Sequence, residues 1–252
     1  MRLLTLARDL KRRKARQRRG LFVAEGVRTV EELVRSEIKI DGILIAPQLE
    51  DAPRGVGLLA KIQGLGLTVE SVGPLEFASA AETESPQGVL ALAPIPAATL
   101  DDLTSLGTLR LLILDAVQDP GNVGTIVRTA AALGADGVVA LPGTVDLWNA
   151  KVVRSGMGAH FHFPAVHCSW EQLEGFRSKR GLELWGADTD GEAIGSMRPP
   201  KRLGLVVGNE GAGLSTAVRA SLDRLVSIPM SDRTESLNVA VATGILLHQV
   251  RQ

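Results

Sequence analysis

The sequence has one cysteine and no tyrosine, and aromatic residues make up only 3% of it. With Cys168 alone no intramolecular disulfide can form. The chain has neither the paired CxxC spacing of a zinc site nor an HExxH helix, so no metal is expected. Scarce aromatics leave stacking of bases on an aromatic platform without an obvious basis. No run approaches the roughly 18 apolar residues of a membrane span, and Met1 leads into basic residues without the compact apolar segment of a secretory signal. These absences predict a cytoplasmic protein with no membrane partner. What is present is 252 residues, 45% of them hydrophobic, enough for one large or two ordinary domains with a sizeable core.

The formal net charge is zero, but residues 1–20 hold nine Lys/Arg against Asp9 alone, nine minus one giving +8 there and −8 in the remainder. Such a block is an electrostatic footprint for phosphate backbones, because each neutralised phosphate releases condensed counterions. A solvated helix face and a transit peptide are the alternatives, although a transit peptide would be richer in serine. The stretch reads as a basic tail, with Arg12, Arg13, Lys14, Arg16, Arg18 and Arg19 as candidate nucleic-acid contacts.

Beyond the tail, apolar runs alternate with helical patterns: "LFVAEG", then "VRTVEELVRS" with Val27, Val30, Leu33 and Val34 on one face, then "IDGILIAP", "VGLLAKIQG", "LTVESV" and "QGVLALAP". This predicts a small α/β domain over residues 21–98. "APIPAATLDD" then reads as a linker. From residue 99 to 252 the runs "LRLLILDAV", "GVVAL", "FPAV", "LELWGAD", "RLGLVVG" and "RLVSIPM", mostly separated by helical segments, predict a mostly parallel sheet covered by helices on both faces. Ligands of such sheets bind at the carboxyl ends of the strands. The unusual residues cluster there, after Val117, Val207 and Ile228.

The first loop, "QDPGNVGTIVR", lacks the GxGxxG order of a dinucleotide site, and no acidic residue closes the next strand. Asn122 is placed to cap a helix beginning near Val123. Arg128 lies on a stripe with Gly124, Ala131, Ala132 and Ala135, none of them acidic, so it either pairs with an acid from elsewhere in the fold or is functional. The second loop, "VVGNEGAGLS", has the glycine spacing of a P-loop, but Leu214 replaces the lysine and Glu210 would repel phosphate. Its glycines would let backbone approach a cationic or neutral ligand closely, or simply close a tight turn. The third loop, "SIPMSDRTESLNVAVATGILLHQV", offers Ser236 as an N-cap and leads into a helix apolar nearly all round, with Asn238 as the polar exception. "AHFHFPAVHC" gathers His160, His162, His167 and Cys168 but at no conventional ligand spacing.

With these loops the sequence resembles the SpoU family of RNA ribose 2′-O-methyltransferases, of the SPOUT class. The matching stretches are "DPGNVGTIVRTAAALGADG", "VVGNEGAGLS" and "IPMSDRTESLNVAVATGILL", with "KVVRSGMGAHF" as a further one. The resemblance covers residues 108–252 firmly, and 21–95 look like the family's small substrate-binding domain. It implies a trefoil knot in the C-terminal domain and S-adenosylmethionine held by Val207, Gly208, Asn209, Gly213, Ile228, Met230 and Leu237. It implies a catalytic group of Asn122, Arg128, Glu210, Ser236 and Asn238, with Arg128 also touching RNA, and a homodimer. Ribosomal RNA is the favoured substrate. A transfer RNA methyltransferase and a catalytically silent RNA-binding relative are the alternatives.

Overall fold

The computed structural model describes residues 2–103, 107–231 and 233–251. The chain runs through α1 (Leu3–Leu10), α2 (Arg13–Arg19), β1 (Leu21–Glu25), α3 (Val27–Arg35), β2 (Gly42–Ile45), α4 (Pro53–Gly64), β3 (Val69–Ser71), α5 (Pro74–Ala80) and β4 (Val89–Pro94). It continues with β5 (Leu109–Leu114), α6 (Pro120–Ala132), β6 (Gly137–Ala140), α7 (Ala150–Ser155), β7 (Ala165–His167), α8 (Trp170–Arg180) and β8 (Glu183–Ala193). The last elements are β9 (Arg202–Val207), α9 (Thr216–Ala220), β10 (Arg224–Ser227) and α10 (Val239–Val250). Two compact units result: Met1–Ala97 with Trp148–His162, and Ala98–Leu147 with Phe163–Gln252.

In the first unit a four-stranded sheet has the order β1-β4-β2-β3, with β4 antiparallel to both neighbours and β3 parallel to β2. The basic N-terminal stretch is not a free tail here. Leu4, Ala7 and Leu10 recur at helical spacing and are buried with Val23, Leu44, Phe77 and Leu90, so α1 is part of this core. Gly20, at φ 62°, ends α2 in the left-handed conformation and turns the chain into β1. The segment 148–162 also packs in this unit, where Phe22 meets the rings of Trp148 and Phe161 at 4.7 and 5.8 Å.

The second unit is a six-stranded sheet of order β10-β8-β9-β5-β6-β7, and every neighbouring pair is parallel. Its strands are the apolar runs of the sequence, because a parallel sheet with helices on its faces buries both sides of each strand. Leu109, Leu111, Ile113, Val139, Leu184 and Val206 lie in one core cluster with Leu173 and Phe176 of α8. The chain steps outward from β5 through β6 to β7, then returns to place β9 on the other side of β5. The order therefore reverses between β5 and β9, and the crevice outside their carboxyl ends is where such a sheet takes a ligand.

Candidate active site

The site begins where β5 and β9 end. Asp115 continues their ladder by donating its N–H to the Val207 carbonyl at 2.9 Å. Its buried carboxylate accepts the Ser215 N–H at 2.6 Å. Ala116 takes a left-handed φ of 56°, and its carbonyl accepts the Asn209 side-chain amide at 2.9 Å. The second loop folds onto itself: Asn209 and Gly213 exchange backbone hydrogen bonds at 2.9 Å, and the Asn209 side-chain oxygen accepts the Gly211 and Ala212 N–H groups at 3.0 Å. A Cβ on Gly208 would meet Gly213 backbone at 2.3 Å, so this glycine is required by the turn rather than by a ligand.

Glu210 joins that loop to the first. Its carboxylate accepts the N–H groups of Gln118 (3.2 Å) and Asp119 (3.0 Å) and the Asn122 side-chain amide (3.1 Å). Partial burial pushes its carboxyl upward, but the hydrogen bonds from Asn122, its own backbone, Asp119 and Gln118 outweigh this and hold it below the usual carboxylate range. Asn122 is not the helix cap that the sequence suggested. Asp119 caps α6, accepting the Asn122 N–H at 2.8 Å, and Pro120 takes the first helical position. The Asn122 side chain is thereby released to bridge Glu210 and Asn238, whose amide donates to Asn122 Oδ1 at 3.0 Å. Ser236 likewise is not the cap of α10. Asn238 is, accepting from Ala240 and Val241, while Ser236 is exposed.

Beside this network lies a cavity of about 590 Å³. Val207, Gly208, Asn209, Gly213, Ile228, Met230 and Leu237 all line it, as do Glu210, Ser236 and Asn238. The walls also include Ala187, Asp188 and Thr189 from within β8, which sequence reasoning missed because "LELWGAD" reads only as a strand. Asn122 and Arg128 are not among the lining residues. Arg128 is exposed on α6, and among the described residues its side chain makes no hydrogen bond or ion pair. Among the described residues, to which Asp232 does not belong, no acid pairs with it. No group of three or more metal-ligating side chains occurs among the described residues.

The lining carries acids (Asp188, Glu210, Glu235) and no lysine or arginine, together with apolar side chains and backbone polar groups. Such walls disfavour polyphosphates and accept a ligand with an adenine-sized apolar face and a positive charge. S-adenosylmethionine, with its sulfonium, fits this donor set.

Comparison with known proteins agrees with the geometry. Residues 110–248 match the SpoU rRNA Methylase family and residues 5–91 an MRM3-like substrate binding domain. The chain is 34% identical to the 23S rRNA (guanosine(2553)-2′-O)-methyltransferase RlmP of Bacillus subtilis (strain 168), covering 97% of this chain and 94% of that one. It is 32% identical to the 23S rRNA (uridine(2479)-2′-O)-methyltransferase of Streptomyces viridochromogenes, covering 95% and 86%. The SpoU methyltransferase AviRb of S. viridochromogenes, solved in complex with the cofactor AdoMet, superposes with a TM-score of 0.86 at 29% identity over 100% of this chain and 97% of that one. The AdoMet-bound rRNA methyltransferase of Sinorhizobium meliloti gives 0.83 at 29% identity, covering 99% and 94%. Parallel sheet and switch-point cavity are thus those of an α/β methyltransferase. The chain belongs to the SpoU rRNA methylase family.

Proposed function

We propose that this chain transfers a methyl group from S-adenosylmethionine to a ribose 2′-hydroxyl of ribosomal RNA. The observation that carries the reading is an exposed Arg128, without an ion pair among the described residues, on a helix whose first turn is tied through Asn122 and Glu210 to the wall of the cofactor cavity. The cofactor, when bound, supplies an electrophilic methyl on a cationic sulfur. The protein must hold the RNA hydroxyl in line with it and stabilise the oxygen as its proton leaves. Arg128 is suited to anchoring a phosphate and the developing oxyanion, and unsuited to accepting a proton, since a guanidinium stays protonated. Asn122, Glu210 and Asn238 hold the first, second and third loops in register, and Ser236 faces the cavity from the third.

Ribosomal rather than transfer RNA is supported by the relatives that act on 23S rRNA and by the match to a substrate-binding domain. Arg12, Arg13, Lys14, Arg18 and Arg19 are exposed and available to RNA. Arg16 is not, because it is buried and donates to the Leu10 and Lys11 carbonyls at 2.7 and 2.8 Å. A homodimer fits the apolar side chains that α10 leaves exposed, Val241 and Ile245. The knot implied by the family resemblance fits a strand order in which β9 returns to β5. Incubation with S-adenosylmethionine and an unmodified 23S rRNA transcript, followed by mapping of 2′-O-methyl positions, tests the function. One new position is expected, and absence of transfer to any rRNA would overturn it.

A further inference from the structure

The corner between α1 and α2 carries more than net charge. Three guanidiniums converge on one carboxylate: Arg12 bonds Asp9 Oδ1, Arg19 Nε donates to Oδ2 at 2.9 Å, and Arg18 Nη2 lies 3.4 Å from the same oxygen. Asp9 lies at the end of α1, Arg12 at the helix junction and Arg18 and Arg19 in the last turn of α2, so only the folded corner brings them together. Buried Arg16 fixes that corner by spending its own guanidinium on the last carbonyls of α1 and the residue after it.

The layering decides what the cluster can do. The Asp9 side chain is 13% exposed, whereas Arg12 and Arg18 are 74% and 69% exposed. The anion therefore lies beneath, Arg12 and Arg18 face solvent, and Arg19, at 32%, is half-buried beside them. A surface carboxylate would repel phosphate; one set underneath cancels part of the mutual repulsion of three arginines and fixes their direction. A guanidinium has five N–H donors, and among the described residues the bonds to Asp9 leave most of those on Arg12 and Arg18 free, with Arg19 bonded beside them. Three cations and one anion leave two net positive charges, with planar forks suited to phosphate oxygens. The Arg12 guanidinium first, and Arg19 after it, hold the Asp9 carboxyl below the usual carboxylate range.

We propose that Asp9 is a positioning residue for RNA binding, gathering Arg12, Arg18 and Arg19 into a preorganised cradle for one RNA backbone phosphate. The proposal rests on the reading of the chain as an rRNA methyltransferase. It makes a forecast opposite in sign to simple electrostatics. Asp9→Asn raises the net charge by one, so an unorganised basic patch would bind RNA as well or better. A cradle that loses its organiser binds worse, because three long side chains must then be ordered by the ligand itself.

The test uses the full chain, an unmodified 23S rRNA transcript and S-adenosylmethionine. Rates and affinities are compared for wild type, Asp9→Asn, the triple variant Arg12→Ala/Arg18→Ala/Arg19→Ala, and the two combined, with thermal melts as the folding control. Asp9→Asn should weaken rRNA binding about threefold to tenfold, raise KM for rRNA more than it lowers kcat, and leave cofactor affinity intact. In the triple-alanine background it should do nothing further. Asp9→Glu, which keeps the charge, should recover most of the affinity. Equal or tighter binding by Asp9→Asn, or the same weakening without the arginines, overturns the proposal while leaving the function standing. The triple variant tests the cradle without touching Asp9, and unchanged affinity there overturns it as well. A wild-type chain that neither binds nor methylates 23S rRNA overturns both.

Discussion

Arg128 is exposed and, among the described residues, has no side-chain partner, whereas Asn122, Glu210 and Asn238 are hydrogen-bonded to one another, and that contrast yields a sharp expectation. Arg128→Ala truncates an exposed side chain and leaves no buried charge among the described residues, so stability should stay within about 0.5 kcal/mol of wild type. Methyl transfer should nonetheless fall about 10²–10³-fold, with cofactor affinity retained, and lysine should recover little because a point charge cannot reproduce the planar fork. Thermal unfolding and single-turnover methylation on one preparation check this; a stable, fully active variant would remove Arg128 from the mechanism. Glu210 gives the complementary case. In Glu210→Gln the amide can offer one acceptor oxygen, but its NH2 must face the N–H donors of Gln118 or Asp119. The loop should loosen and cofactor affinity fall roughly tenfold, about the worth of one charge-assisted hydrogen bond, measured by calorimetry. Because the folded-state pKa of Glu210 is lowered, its contribution is fully present above the usual carboxylate pKa of about 4.3 and lost as pH falls through its folded value. Cofactor affinity should therefore lose nothing through Glu210 at neutral pH and weaken only in the acid range. The helix caps show why single residues are hard to assign from sequence. "DPGN" and "SLN" each offer two capping side chains, and only the proline after Asp119, suited to a first helical position, separates the candidates in the first.

At the scale of elements, the six strands of the parallel sheet were legible because burial on both faces forces continuous apolar runs such as Leu109–Leu114 and Arg202–Val207. The helices α1 and α2 were not, because charge density masks the stripe of Leu4, Ala7 and Leu10 that puts α1 in the core. Deleting the first nineteen residues would therefore open the first unit as well as strip its cations, and substitutions at exposed arginines are the cleaner probe of RNA binding. The segment 148–162 was also illegible, since its packing against β1 is a long-range matter that no local pattern encodes. Gly158 is a tight point in it that also has a left-handed backbone, with φ 90° and a position where a Cβ would lie 2.5 Å from Glu32 Cβ. Gly158→Ala combines backbone strain with that overlap and should cost about 1–3 kcal/mol, measured by urea unfolding. An unchanged midpoint would mean that the segment shifts without penalty.

At the scale of the whole molecule, the question is what covers α10. Its inner face buries Ala240, Thr243, Leu246, Leu247 and Val250, yet Val241 and Ile245, one turn apart, are 52% and 36% exposed. Two exposed aliphatics are ordinary on any surface; a helix apolar nearly all round at the edge of an enzyme site is less so. The homodimer proposed above would bury this face within an interface of at least about 1,000 Å². α10 packs on α6, where Gly244 lies against Thr129, the residue after Arg128. A partner seated on α10 would thus lie one helix away from Arg128. Val241→Asp/Ile245→Lys should therefore halve the mass seen by light scattering and lower methyl transfer together, while the buried face keeps the monomer folded. A wild-type chain that is monomeric at all concentrations would remove the dimer, and a monomeric double variant with undiminished transfer would separate assembly from catalysis.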